Sequence, residues 1–216
     1  GISASWTINV DGTAPAAPVI SQVVDDVPGG IVSSLGQNAT TNDTTPTLSG
    51  TAEANATVTL RVDGVAIGTT VANGLGVWVF TPSSPIGEGP HALTAVATDA
   101  AGNSSDVSNT WTLTIDSVAP AAPVITQVID DVPERLGVLN ANDSTNDTTP
   151  TLNGTAEPGS KVTIRLDGAD VDTVVADSNG AWTFTPTTPL GNGAHTFTVV
   201  ATDAAGNTSL ASDGFT

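Results

Sequence analysis

The sequence contains no cysteine, no methionine and no tyrosine in 216 residues. Disulfide staples and thiol chemistry are therefore excluded, and outside a cell such a chain must be rigidified by something else. Basic residues are nearly absent too: four Lys and Arg stand against twenty-two Asp and Glu, a formal charge of −18. That balance argues against nucleic acid and against an anionic membrane surface, which both select cationic patches, and it favours metal cations. No apolar run reaches the roughly 18 residues of a membrane-crossing helix, so no direct membrane insertion is expected. No leader segment is visible. A nucleophile elbow, a P-loop, a His-Glu-x-x-His motif and a Cys–His pair are all missing, so no catalytic residues are assigned. Acidic pairs of the kind a glycosidase needs do occur, but in turns that recur along the chain, as an active site need not.

What is present is repetition. VATDAAGN stands at 96–103 and again, unchanged, at 200–207. The same 104-residue offset carries TNDTTPTL from 41–48 to 145–152, Trp78 to Trp182, His91 to His195 and Arg61 to Arg165. Upstream the offset is 105, taking PAAPVI from 15–20 to 120–125 and Asp25-Asp26 to Asp130-Asp131, so one residue has been lost between Asp131 and Asn146. Solenoid and propeller repeats run about 20–50 residues, so a period this long is a whole domain. Residues 1–11 align with 107–116, Trp6 on Trp111 and Asp11 on Asp116. They are expected to be the last strand of a preceding repeat, followed by one repeat over 12–116 and a second over 117–216. The second has its final strand cut short, with Phe215 at the Trp111 position. The chain thus reads as an excerpt from a tandem array.

Within a repeat, short alternating runs are separated by turn residues. Strands are expected at 19–23, 47–52, 57–62, 65–72, 77–81, 91–98 and 107–115, with a long loop over 24–45. Asp63-Gly64 suits the positive φ angles of a tight hairpin. Trp78 and Phe80 share one strand face, because side chains alternate. No amphipathic helical run appears. Seven or so strands in about 100 residues predict an all-β fold of tandem immunoglobulin-like β-sandwich domains in a linear array.

The set DGTAPAAPVI, DDVP, TNDTTPTLSGTAE, Trp-x-Phe-Thr-Pro and ATDAAGN resembles the bacterial Ig-like repeats of giant surface adhesins and biofilm-associated proteins, over the whole chain. The resemblance implies secretion by a type I system to the bacterial cell surface, many such domains in series, and Ca²⁺ bound between domains. Its implied partners are the neighbouring repeats of the same chain, with a host or abiotic surface reached through other regions of a longer protein.

The residues make their own case for Ca²⁺. Alternate loops of a sandwich fall at opposite ends. One end is expected to collect Asp11, Glu53, Asp99 and Asn103 in the first repeat, and Asp116, Glu157, Asp203 and Asn207 in the second. The other is expected to collect Asp25, Asp26, Asn42, Asp43 and Asp63, matched by Asp130, Asp131, Asn146, Asp147 and Asp167. Carboxylates, an amide and nearby carbonyls can supply the 6–8 oxygens Ca²⁺ takes at about 2.3–2.6 Å, whereas Mg²⁺ keeps its waters and Zn²⁺ wants His and Cys. The alternative stands beside it: Asp and Asn close turns by bonding their own backbone. Trp78, Trp182, Trp6 and Trp111 are expected in cores, and His91 and His195 in structural roles. The expected function is a non-enzymatic, calcium-stiffened spacer. The alternative is a ligand-binding module holding glycan or ice on the sandwich itself.

Overall fold

A computed structural model describes residues 6–27 and 33–216, all of them in strands, turns and extended segments, without a helix among the described residues. The chain divides into two compact units, Gly1–Ser117 and Val118–Thr216. In the first unit β1 (Val19–Asp25), β2 (Ser33–Leu35), β4 (Thr47–Thr51) and β7 (Val77–Phe80) form one sheet in the order β2-β1-β4-β7. The facing sheet is β3 (Ala39–Thr41), β9 (Trp111–Ile115), β8 (Gly89–Thr98), β5 (Thr57–Val62) and β6 (Val65–Val71), in the order β3-β9-β8-β5-β6. Inward positions alternate as the pleat requires: Val58, Leu60 and Val62 on β5 face Leu93, Ala95 and Ala97 on β8, with Leu113 and Ile115 on β9.

The second unit repeats the plan. Its sheets are β11-β10-β12-β15 and β14-β13-β16, from β10 (Val124–Asp130), β11 (Gly137–Leu139), β12 (Thr151–Thr155), β13 (Lys161–Leu166), β14 (Ala169–Val175), β15 (Ala181–Phe184) and β16 (Phe197–Thr202). Phe215 bridges Phe197 at the position where Trp111 pairs with Leu93 in the first unit.

Four sequence expectations change. The long loop over 24–45 contains β2 and β3. Leu35 pairs with Val23 and is buried, and β3 runs parallel to β9, but three-residue strands are too short to show a period. The last strand begins at Trp111, not at 107. Along 104–110 the hydroxyls of Ser105 and Ser108 accept the N–H groups of Ala97 and Ala95, while their own N–H groups donate to the carbonyls of the same two residues. Each serine thus replaces a ladder step on β8, and the backbone between them is free to bow out. Ser209 and Ser212 do the same for Ala201 and Val199. Residues 6–18 form no strand, and residues 1–5 of the expected opening strand lie outside the described residues. Trp6 is therefore not a core residue: it is 90% exposed, because no described strand lies beside it as β8 lies beside Trp111.

Trp78 and Trp182 are buried as expected, at 1% and 3% exposure. Each ring lies on a glycine across the sheet, Trp78 opposite Gly50 and Trp182 opposite Gly154. A Cβ on Gly50 would stand 1.8 Å from the Val19 carbonyl oxygen and 2.5 Å from the indole; on Gly154 the distances are 2.2 and 2.1 Å. Backbone cannot yield that much. Gly154→Ala should therefore destabilise the second unit by about 1–3 kcal/mol, the usual cost of overpacking, or more. Urea unfolding of the single variant checks it; an unchanged midpoint would show that the indole moves freely.

Candidate functional site

The turn VATDAAGN is built around its aspartate. Asp99 follows β8, and its Oδ1 accepts the N–H groups of Ala101 (2.9 Å) and Asn103 (2.8 Å), while Oδ2 accepts Asn103 Nδ2 at 2.8 Å. These donors, the Asn103 side chain first, hold its carboxyl below the usual carboxylate range. The same Nδ2 also donates to the backbone carbonyl of Asp11 at 3.1 Å, so the segment leading into the first unit is fixed to this turn. Asp11 closes its own small turn on Thr13 N–H at 3.0 Å. Glu53 is exposed on the turn after β4, and the Thr57–Thr98 pairing puts that turn at the same end as Asp99. In the second unit Asp203 accepts Asn207 N–H at 2.9 Å and Asn207 Nδ2 at 2.8 Å, and Glu157 begins the turn closed by Ser160. Asp116 donates its N–H to the Thr41 carbonyl at 2.9 Å.

The other carboxylates gather at the C-terminal end of β1. Asp43 is buried, with Oδ1 accepting Thr45 N–H at 2.9 Å and Oδ2 accepting Asp26 N–H at 3.0 Å. Burial is the largest influence on its carboxyl and pushes it up against those hydrogen bonds. Asp25 takes the Thr41 hydroxyl at 2.7 Å and Asp26 the Thr47 hydroxyl at 2.9 Å. The second unit copies this: Asp130 takes Thr145 Oγ1 at 2.5 Å, and Asp147 takes Thr149 N–H at 2.8 Å and Asp131 N–H at 3.3 Å. Asn42 is half-buried between Thr41 and Asp43, and Asn146 Nδ2 donates to the Pro133 carbonyl at 3.3 Å.

Asp63 and Asp167, expected beside these groups, are engaged elsewhere. Asp63 Oδ2 lies 2.7 Å from His91 Nδ1, and its Oδ1 accepts Ala92 N–H at 2.9 Å. His91 Nε2 lies 2.8 Å from the Gly87 carbonyl. Both ring nitrogens thus face acceptors, an arrangement satisfied by the imidazolium, and the ring pins the 82–89 loop to the β5–β6 hairpin. His195 repeats it with Asp167 at 2.8 Å and Gly191 at 3.0 Å. The structural role expected of both histidines is what the geometry supplies.

Among the described residues no three or more His, Cys, Asp or Glu side chains stand close enough to hold a metal ion. In kind the donors suit a hard cation, since they are carboxylates, an amide and carbonyls with no thiolate or free imidazole. Glu88 was not read from the sequence. It sits beside the pinned Gly87, accepts Ser117 N–H at 3.1 Å and also takes the Ser117 hydroxyl, so the segment leaving the first unit is held too. Position 192, its counterpart, is Asn, so no repeat pattern could flag it.

Two sandwiches of this topology, closed by Trp-on-Gly packing and Asp-centred turns, define a tandem Ig-like protein. The chain belongs to the bacterial Ig-like domain family, whose model matches residues 19–117 and 125–216. No curated protein sequence matches it. Among solved structures it is similar to fibronectin(III)-like modules of Clostridium thermocellum CbhA (17% identity, TM-score 0.44, covering 83% of this chain and 86% of that one). It is also similar to the BSP domain of a biofilm-associated protein (25%, TM-score 0.31, 83% and 28%) and to a tetra-tandem repeat from the extending region of a large adhesion protein (23%, TM-score 0.32, 84% and 50%). The chain spans less than two thirds of the latter two.

The histidine clamps generate a pH prediction. For His91, burial lowers the pKa, but Asp63 and the Gly87 carbonyl outweigh it and the net direction is up; for His195, Asp167 leads and the direction is also up. A raised folded value stabilises fully below the histidine's ordinary value of about 6.5 and is lost as pH rises through the folded value. Asp63, through Ala92 N–H and then His91, and Asp167, through His195, are lowered; their contribution is present above about 4 and lost as pH falls. Melting temperature should therefore fall between pH 6 and pH 8. His91→Gln with His195→Gln should flatten that slope; an equally steep slope in the double variant would refute the clamp.

Proposed function

We propose that the chain is a non-enzymatic spacer from a large bacterial cell-surface adhesin, and that Ca²⁺ stiffens it. The observation that carries the reading is the Asn103 Nδ2 bond to the Asp11 carbonyl: the segment entering the repeat is already held against a turn whose aspartate is kept ionised. Asp11, Glu53 and Asp99 do not stand together as a metal-holding group, so a cation would have to draw them in with the Asn103 amide, and it would then replace that single bond by several. In the second repeat Glu157, Asp203 and Asn207 stand at the positions of Glu53, Asp99 and Asn103 and would serve in the same way. What calcium supplies is charge neutralisation and multidentate cross-linking. The chain supplies a fixed turn, an incoming carbonyl and a surface whose excess negative charge otherwise repels itself. In series, such links limit the freedom with which one repeat follows the next, and a distant adhesive region is held away from the cell.

A ligand that binds only the folded state stabilises it by RT ln(1 + [L]/Kd), and extracellular calcium sites bind at about 10⁻⁴–10⁻³ M. At about 1 mM calcium the expected gain is about 0.4–1.4 kcal/mol per site. Melting should be higher in calcium than in EDTA at equal ionic strength, with part of the difference lost in Asp99→Ala. Small-angle scattering should show a narrower spread of distances in calcium than in EDTA. If neither measurement responds to calcium, the aspartates are turn formers alone.

A further inference from the structure

We propose that Asn55 is an acceptor for an asparagine-linked glycan. Eight Asn-x-Ser/Thr triplets without Pro occur in the sequence, a pattern that marks a glycan acceptor only where the asparagine is accessible. The structure separates them by the state of Nδ2, the atom that must attack. In Asn103, Asn146 and Asn207 it already donates, to Asp99, Pro133 and Asp203 respectively. Asn42 and Asn153 are half-buried, and Asn153 Oδ1 is taken by the Thr183 hydroxyl. Asn38 is held through Oδ1 by the Thr112 hydroxyl, and the Arg135 guanidinium lies on the Asn142 triplet, bonded to both Asp143 and Ser144.

Asn55 has none of these restraints. It stands exposed at φ 66° on the turn after β4. That turn is fixed by its own N–H to the Ala72 carbonyl (3.1 Å) and by Ala56 N–H to the Glu53 carbonyl (3.1 Å). Ala56 is buried at 2% exposure, while Thr57 opens β5 and is exposed. The middle residue is turned in while Asn55 and Thr57 are both exposed, which leaves the amide and the hydroxyl open to a transferase. The reaction is glycosyl transfer from a sugar activated through its anomeric phosphate. The Nδ2–C1 bond forms as the C1–O bond to phosphate breaks, the phosphate leaves with the electron pair, and the amide gives one proton to the enzyme's base. The counterpart of Asn55 in the second repeat is Gly159, so that repeat is an internal control. This inference does not depend on calcium binding.

The test offers the folded 216-residue chain to two donors: a nucleotide-activated hexose with a soluble asparagine glucosyltransferase, and a lipid-pyrophosphate-linked oligosaccharide with a membrane oligosaccharyltransferase. A synthetic peptide covering 50–60 confirms that each enzyme is active. The expected result is one added glycan per chain in at least one arm, mapped to Asn55 by peptide mass. The size of the added mass, hexose or oligosaccharide, identifies the donor class. Asn55→Gln and Thr57→Val should each abolish it. A folded chain left unmodified while the peptide is glycosylated, or modification at another asparagine that persists in Asn55→Gln, overturns the proposal.

Discussion

Both sandwiches depend on an indole seated on a glycine. With no cysteine to join the two sheets of a unit, they are held together by core packing alone, and the indole enters that core from β7, or β15, across its hydrogen-bonded neighbour β4, or β12. Trp78 and Trp182 are the largest side chains available for it. The ring can lie flat against the neighbouring strand only where that strand has no Cβ, which fixes Gly50 and Gly154. The cost is an indole Nε1 without a partner in each core, tolerated because the ring's apolar area is large. A second glycine shows how locally this geometry is set. Phe80 lies over Gly68, where a Cβ would come within 2.7 Å of its ring. Asp172 occupies the equivalent position in the second repeat, and Phe184 turns inward to 7% exposure.

Around those cores, a strongly acidic chain avoids disorder by spending its carboxylates on its own backbone. Asp43, Asp99, Asp147 and Asp203 each accept two or more donors from their own or a neighbouring turn. The four basic residues take little part: Arg135 and Arg165 each pair with one aspartate, and Arg61 Nε has no partner. Histidine stands against an aspartate at one place per repeat, holding a loop to a hairpin. In the first unit the entering and leaving segments are both hydrogen-bonded to loops, through Asn103 and Glu88.

Most of this was legible because exact repetition makes periodic signals count twice. The cores followed from alternation in TVTLRV and HALTAVAT, and the turns from Asp-Gly and AAGN. What was not legible depends on long-range partners. β2 and β3 are three residues each and exist only because β1 and β9 lie beside them. The serine steps along β8 left no sign either: Ser105 fell outside the expected strands and Ser108 inside the one expected over 107–115, since a hydroxyl standing in for a backbone group leaves no period. Asp63 and Asp167 were grouped with the wrong carboxylates because hairpin position alone does not tell that a histidine some 28 residues on will claim them. Glu88, unrepeated and on a loop, gave no sign.

The two readings of the repeated aspartates, turn closure and cation binding, are compatible in electron count. An ionised carboxylate offers about four lone-pair positions. Asp99 uses two on Oδ1, for Ala101 and Asn103 N–H, and one on Oδ2, for Asn103 Nδ2. One position on Oδ2 is left, on the oxygen nearest the amide that also touches Asp11. Turn closure fixes the direction of that oxygen and holds the carboxyl below its usual range, which would lower the ordering cost of ligation. A carboxylate free to rotate would have to be immobilised by the cation itself. Under the proposed calcium binding, closure of the turn would be a condition for the site, and the same residues would be under one constraint for both roles.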